Sequence, residues 1–212
     1  MHRRRQNAGM TDTQPVLRRS GRPRDQELDA AILAAGLKLL IERGAADTSI
    51  EQVAKRADVT RATVYRRFPN KTDLLIHAIE SAHRELTAEV PQWQDIRDMV
   101  VDWAEFLSQP ILRRMLRRLY GSVDDYPELL KAYWDSHGQR HWLGVRAVLE
   151  QARDQGQFDH DADLDLIHEI LYATIIYDLA AEPDTHNARD IAERLTAVLR
   201  QTGYQSEGLT QR

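Results

Sequence analysis

Apolar residues recur at helical spacing along almost the whole chain from Asp25 onward, and glycine and proline fall mostly between the periodic stretches. No two runs of strict apolar–polar alternation stand where they would pair as strands, so the pattern predicts an all-α protein. Leu28, Ile32, Ala35 and Leu39 step by four, three and four, and Leu33, Leu37 and Leu40 widen the stripe. They predict a first helix over 26–43. Asp25 is its expected N-cap, Glu27 and Asp29 lie in a first turn that favours negative charge, and Gly44 ends it. A second helix is expected from Thr48 to Ala57, opened by Thr48-Ser49-Ile50-Glu51 as a capping box in which Thr48 and Glu51 each satisfy an orphan amide. Asp58 falls where the chain must bend sharply, in the left-handed conformation that Asp tolerates better than most residues. Thr60 caps a short third helix through Arg67, ended by Phe68-Pro69. Asn70 then caps a fourth, with Leu74, Leu75 and Ile79 inward.

Two short helices joined by a tight turn, the second opened by a hydroxyl cap, form a helix-turn-helix. Val64 and Phe68, four apart, are expected to hold the third helix against the first two, with Val59 plugging the space between. Arg61, Thr63, Tyr65, Arg66 and Arg67 are then left on surfaces that can face DNA. The charge distribution points the same way. Residues 1–80 carry 15 Lys/Arg against 10 Asp/Glu, and residues 81–212 carry 14 against 23. A positive head on a negative body suits a polyanion-binding segment joined to one that does not bind polyanions.

The run from Gly21 to Glu80 resembles the DNA-binding domain of the tetracycline-repressor (TetR) family. Five elements match in register: Thr48-Ser49-Ile50 through Val53-Ala54, Ala57-Asp58-Val59, Thr63-Val64-Tyr65, Phe68-Pro69-Asn70-Lys71, and Leu74-Leu75. Asp58 departs from the pattern, since the family usually has glycine in that turn. The resemblance implies a homodimer that sets the third helix of each subunit into successive major grooves of a near-palindromic operator on double-stranded DNA. By position, Thr48, Thr63, Tyr65 and Lys71 are implied phosphate anchors, because hydroxyls, an ammonium and helix N-termini donate to phosphate oxygens. Arg61 and Arg66 are the candidate base readers, because arginine can bond bidentately to guanine; Arg67 suits either role. Upstream, Arg18-Arg19-Ser20-Gly21-Arg22-Pro23-Arg24 resembles the Gly-Arg-Pro core of AT-hook segments, which would send Arg22 and Arg24 into a narrow minor groove. A plain basic tail is the other reading. The expected organisation is a disordered basic arm over 1–24, the head over 25–71, a body over 72–204 entered through the fourth helix from about 71, and a flexible tail over 205–212. Met10 is a second candidate start.

In the body, helices are expected near 93–108, 110–121, 126–156, 163–181 and 187–202. Twelve of the fourteen aromatic residues lie beyond residue 90. The resemblance implies an effector cavity lined by the middle helices and a four-helix dimer interface built from the last two. Met99, Trp103, Phe106, Tyr120, Trp134, His137, Trp142 and Tyr172 are the candidate lining residues, and they suit a small apolar or aromatic effector. Ile167, Ile170, Leu171, Ile175 and Leu179 form one apolar stripe, and Ile191, Leu195 and Val198 another, as a dimer seam requires. Arg113, Arg114, Arg117 and Arg118 form one basic face, read as solvated, with an anionic ligand as the other reading.

The function expected is a DNA-binding transcriptional regulator: a repressor released by a small molecule, or an activator of the same fold. An all-helical enzyme or carrier is the rival from another class. Against it, the chain has no Gly-rich phosphate loop, no HExxH, no nucleophile elbow and no cysteine. No catalytic residue, cofactor or metal site is assigned. His137 and His141 share a helix face but have no third ligand nearby in sequence. The absence of cysteine fits the cytoplasm, and no apolar run approaches the roughly 18 residues of a membrane span.

Overall fold

The chain folds as an all-α protein. The computed structural model describes residues 22–86, 91–181 and 187–206, without the side chains of 22–24 and 83–86; among these residues there are ten α-helices and no strand. Helix α1 spans Arg22–Arg43. It starts before the expected Asp25 cap, because proline in a first turn gives up only an amide that would be unpaired anyway. Arg22 and Arg24 therefore belong to a helical turn rather than to an extended hook. Their side chains, and the arm over 1–21, lie outside the described residues.

The head is completed by α2 (Ile50–Arg56), α3 (Arg61–Tyr65) and α4 (Lys71–Leu86). The capping box of α2 sits one residue later than the sequence suggests. Ser49 Oγ accepts from the Gln52 amide at 3.3 Å, and Gln52 Oε1 accepts from the Ser49 amide at 3.0 Å. Thr48 is unavailable because it is buried and donates its hydroxyl to Gly44 O at 2.7 Å. Asp58 does carry the sharp turn, at φ 54°. Thr60 Oγ1 accepts from the Thr63 amide at 3.2 Å, and Asn70 Oδ1 from the Asp73 amide at 2.8 Å, so both expected caps form. Ile32, Leu39, Leu40, Val53, Val64, Leu74 and Ile79 are buried together, each contributing about 1.5–3 kcal/mol by burial.

The body contains α5 (Ile96–Leu107), α6 (Pro110–Tyr120), α7 (Pro127–Tyr133), α8 (Gln139–Asp154), α9 (Leu164–Ala181) and α10 (Ala188–Gln201). The single helix expected over 126–156 is interrupted by a π turn at Trp134–Gly138. Ser136 Oγ donates to Ala132 O at 2.7 Å and to Tyr133 O at 3.2 Å, helping to satisfy carbonyls around that turn. At the end of the body, the Gln205 amide donates to Gln157 O at 2.9 Å and Tyr204 packs on Phe158, so the tail is still anchored at 205. Head and body share one continuous core, with α4 packed on α7 and α1 against α6. No described helix is long and apolar enough to cross a membrane.

Candidate nucleic-acid interface and effector cavity

The helix-turn-helix places α3 on the surface by its inner residues. Val64 is fully buried and Phe68 nearly so, which turns Arg61, Thr63, Tyr65 and Arg66 to the other side. Tyr65 is 52% exposed, and Arg66 is exposed with no partner among the described residues. Arg61, on the first turn of α3, pairs with Glu51 of α2 at 2.6 Å; both side chains are largely solvated, so the pair is weak and exchangeable. A backbone hydrogen bond, and then Arg61, hold the Glu51 carboxyl below its usual pKa. Thr63 Oγ1 lies 2.9 Å from Thr60 Oγ1, so the two hydroxyls stand side by side at the N-terminus of α3.

Three expected DNA contacts are engaged elsewhere. Thr48 is 2% exposed and bonded to Gly44, which closes it off from a phosphate. Arg67 turns inward: Nε donates to Asp29, Nη2 to Asp25 at 2.9 Å, and the side chain is 12% exposed. The two acids that look like dipole partners of α1 in the sequence are thus the clamp that ties α3 to α1. Lys71 donates to Ala45 O at 2.8 Å and to the Tyr126 hydroxyl at 3.1 Å, joining the head to α7.

In the body, a cavity of about 40 Å3 lies among α5, α6, α9 and the π-turn segment with the helix residues flanking that turn. Trp103, Phe106, Tyr120, His137 and Tyr172 line it. Met99 instead lies fully in the core, and Trp134 and Trp142 border a separate surface hollow of about 390 Å3. Tyr133 and His141 are lining residues that the sequence reading did not include; both lie one helical turn from His137, on its face, which is the signal that could have found them. Phe106, His137, His141 and Trp103 stack in file, with successive ring centroids 5.8, 5.2 and 5.0 Å apart. Burial, then His137 and His168, lower the His141 pKa to about 3, and burial raises the Tyr133 and Tyr172 phenols. His141 is thus kept neutral at ordinary pH. Among the described residues no group of three or more side chains converges as a metal site. A larger hollow of about 620 Å3 opens between α5 and α10, but it lies apart from this aromatic file.

The basic face of α6 is not solvated as a whole. Arg113 is completely buried and bonds Asp178 Oδ2 at 2.6 Å, and Arg117 donates to Leu179 O at 3.3 Å. Arg118, from the same helix, reaches Glu42 O in α1 at 3.2 Å. Helix α6 therefore touches the cavity through Leu116 and Tyr120 and the head through Arg118.

The expected dimer stripes also need correction. Ile167, Leu171, Leu179, Ile191 and Leu195 are buried within the protomer, Ile175 lines the cavity, and Ile170 and Val198 are half-buried. Helix α9 is apolar nearly all round, so one stripe faces its own core and an offset one faces outward. The outward stripe contains Leu166, Ile170, Ala173 and Tyr177, with Leu166 51% and Tyr177 60% exposed.

A helix-turn-helix head on a helical body that encloses a cavity defines a DNA-binding regulator of two domains. Comparisons agree across the chain. The model for bacterial regulatory proteins of the tetR family matches residues 32–78, and that for the tetracyclin repressor-like C-terminal domain matches residues 92–199. The HTH-type transcriptional regulator EthR of Mycobacterium tuberculosis is 38% identical over 153 residues, covering 67% of this chain and 69% of that protein. The DNA-binding transcriptional repressor TetR of Mycobacteroides abscessus is 27% identical over 168 residues, covering 74% and 84%. The solved SmeT–triclosan complex is similar at 26% identity and a TM-score of 0.63, covering 83% of this chain and 91% of that one. The chain belongs to the TetR family and is a DNA-binding transcriptional regulator.

Proposed function

We propose that this protein is a cytoplasmic repressor. A homodimer holds a near-palindromic operator through α3 of each subunit, and a small uncharged effector in the body releases it. The observation that carries the reading is the path along α6, which lines the cavity with Leu116 and Tyr120 and holds α1 of the head through Arg118. An effector that favours one placement of α6 shifts the two heads away from major grooves about 34–36 Å apart. Thr63 and Tyr65 contact phosphates, and Arg61 and Arg66 read bases. The outward stripe of α9, with Leu166, Ile170 and Tyr177, meets the same stripe of the second subunit. The relatives support this direction, since one is named a repressor and another was solved with triclosan. No catalytic role is proposed.

Selection of bound fragments from random duplex DNA tests the proposal. A two-fold symmetric site is expected, with half-sites one helical turn or a multiple of it apart. Retention of no duplex even at low salt, or an asymmetric single site, would overturn it.

A further inference from the structure

Trp103 is 2% exposed and lines the small cavity, yet its indole Nε1–H has no acceptor among the described residues. Its neighbour Trp93 shows the usual arrangement, donating Nε1–H to Asp102 at 3.0 Å. A buried donor without an acceptor is costly, so a site that keeps one gains most from a ligand that accepts from it. The space beside Trp103 is about 40 Å3, room for roughly one water molecule and far less than the 300–1,000 Å3 typical of pockets for drug-sized ligands.

The wall between this space and the outer hollow is formed in part by Trp134. Its ring lies 5.2 Å from that of Tyr172, which lines the inner cavity, while Trp134 itself borders the outer hollow with Gly138, Trp142 and Leu143. The indole rests directly over Gly138: a Cβ there would stand 1.9 Å from Trp134 Cε3. Both residues belong to the π turn, a form of helix that is rare and frequently found at functional sites.

We propose that the effector is an uncharged planar aromatic molecule bearing a hydrogen-bond acceptor, which takes the Trp103 Nε1–H and enters by displacing Trp134 from Tyr172. The inference rests on the effector reading above and adds to it a ligand class, a specificity-determining residue and a route. The stacked file of Phe106, His137, His141 and Trp103 favours a flat ring. Among the described residues, no Asp, Glu, Lys or Arg lines the cavity. The burial that keeps His141 and Tyr172 neutral penalises a charged ligand in the same way.

The test uses the full chain and three matched probes: 2-acetylnaphthalene, its hydrocarbon isostere 2-isopropenylnaphthalene, and 2-naphthoate. Calorimetry should show the ketone binding about tenfold more tightly than the hydrocarbon, with the carboxylate weakest. Trp103→Phe should erase the difference between the first two. Trp134→Ala should speed association of both while leaving their ratio intact. As a check that needs no variant of Trp103 to fold, the indole 15N–1H resonance of Trp103 in the unmodified protein should move downfield with the ketone and not with the hydrocarbon. Equal binding of ketone and hydrocarbon, tightest binding of the carboxylate, no binding of any probe, a preference that survives Trp103→Phe, or an unmoved resonance each overturns the ligand class. An unchanged association rate in Trp134→Ala overturns the route. The effector reading fails separately, if bound ketone leaves affinity for the selected DNA unaltered.

Discussion

Lys71 Nζ lies 3.1 Å from the Tyr126 hydroxyl and 4.9 Å from the centroid of the same ring, while donating to Ala45 O at 2.8 Å and, more weakly, to Ala46 O at 3.4 Å. The ammonium has three donors, and all three are directed within the protein. Lys71→Met is therefore expected to weaken DNA binding through a misplaced head while leaving the slope of log K against log salt unchanged. A phosphate contact would reduce that slope by about 0.9. Binding titrations across a salt series decide between them.

Neighbouring arginines on one turn have opposite assignments. Arg66 is exposed and has no partner among the described residues, whereas Arg67 is held by Asp25 and Asp29. Arg66→Ala is expected to cost ~1–3 kcal/mol of specific binding, concentrated at one base pair, with little change in melting temperature. Arg67→Ala should lower stability by about 1–3 kcal/mol and leave the base preference as it was. Operators substituted one position at a time, together with denaturation curves, give both readings. A uniform loss on all sequences would make Arg66 a phosphate contact.

The caps at Thr60 and Asn70 were legible because each is a local relation between a residue and the amide three positions on. The choice between Thr48 and Ser49 was not. Each is a hydroxyl residue with a suitable partner three positions later, and burial of Thr48 against Gly44 decides the matter. The roles of Lys71, Arg117 and Arg113 depend on partners 55, 62 and 65 residues away, a separation that leaves no periodic trace. The π turn is invisible for another reason. One extra residue in a helix shifts the apolar stripe without breaking it, so Trp134 and His137 look like parts of one regular face. In α9, apolar residues on nearly every side hide which stripe turns inward.

Burial of Arg113 and Asp178 makes their pair a strong commitment of the fold. Asp178 also accepts from Arg113 through its backbone oxygen at 3.1 Å, and Arg194 stands 3.9 Å from its second carboxylate oxygen. Asp178→Ala leaves a buried guanidinium without its carboxylate and is expected to cost about 3–5 kcal/mol by urea denaturation. Replacing both members with apolar residues, Arg113→Met with Asp178→Leu, should recover much of that loss. A cost below about 1 kcal/mol for the single variant would show that the pair is readily rehydrated.

Tyr177 stands 60% exposed on the outward stripe of α9 with Leu166. If that stripe is the dimer seam, Tyr177→Asp puts two charges near a two-fold axis and must desolvate both on association. The variant should sediment as a folded monomer at concentrations where the parent is a dimer, with operator affinity reduced at least tenfold and the melting temperature of the protomer core little changed. A variant that remains dimeric moves the seam elsewhere.

Acid should destabilise the protein well before its carboxylates titrate. Burial lowers the His141 pKa to about 3 from an ordinary value near 6.5, and burial lowers that of His168 as well. In both cases the unfolded chain binds the proton more readily than the folded one. Stability is then fully present above about pH 6.5 and is lost progressively as the pH falls toward the folded value, at no more than about 1.4 kcal/mol per pH unit for each histidine. The ring of His141 keeps some contact with solvent, which brings the observed slope below that ceiling. The interval between pH 6.5 and 5 lies in the ordinary imidazole range and above the ordinary carboxylate range, so it bears mainly on histidines. Urea midpoints taken across it should fall with acidity for the parent protein and fall less for His141→Gln. Equal slopes for the two would mean that His141 gains its proton without opening the aromatic file.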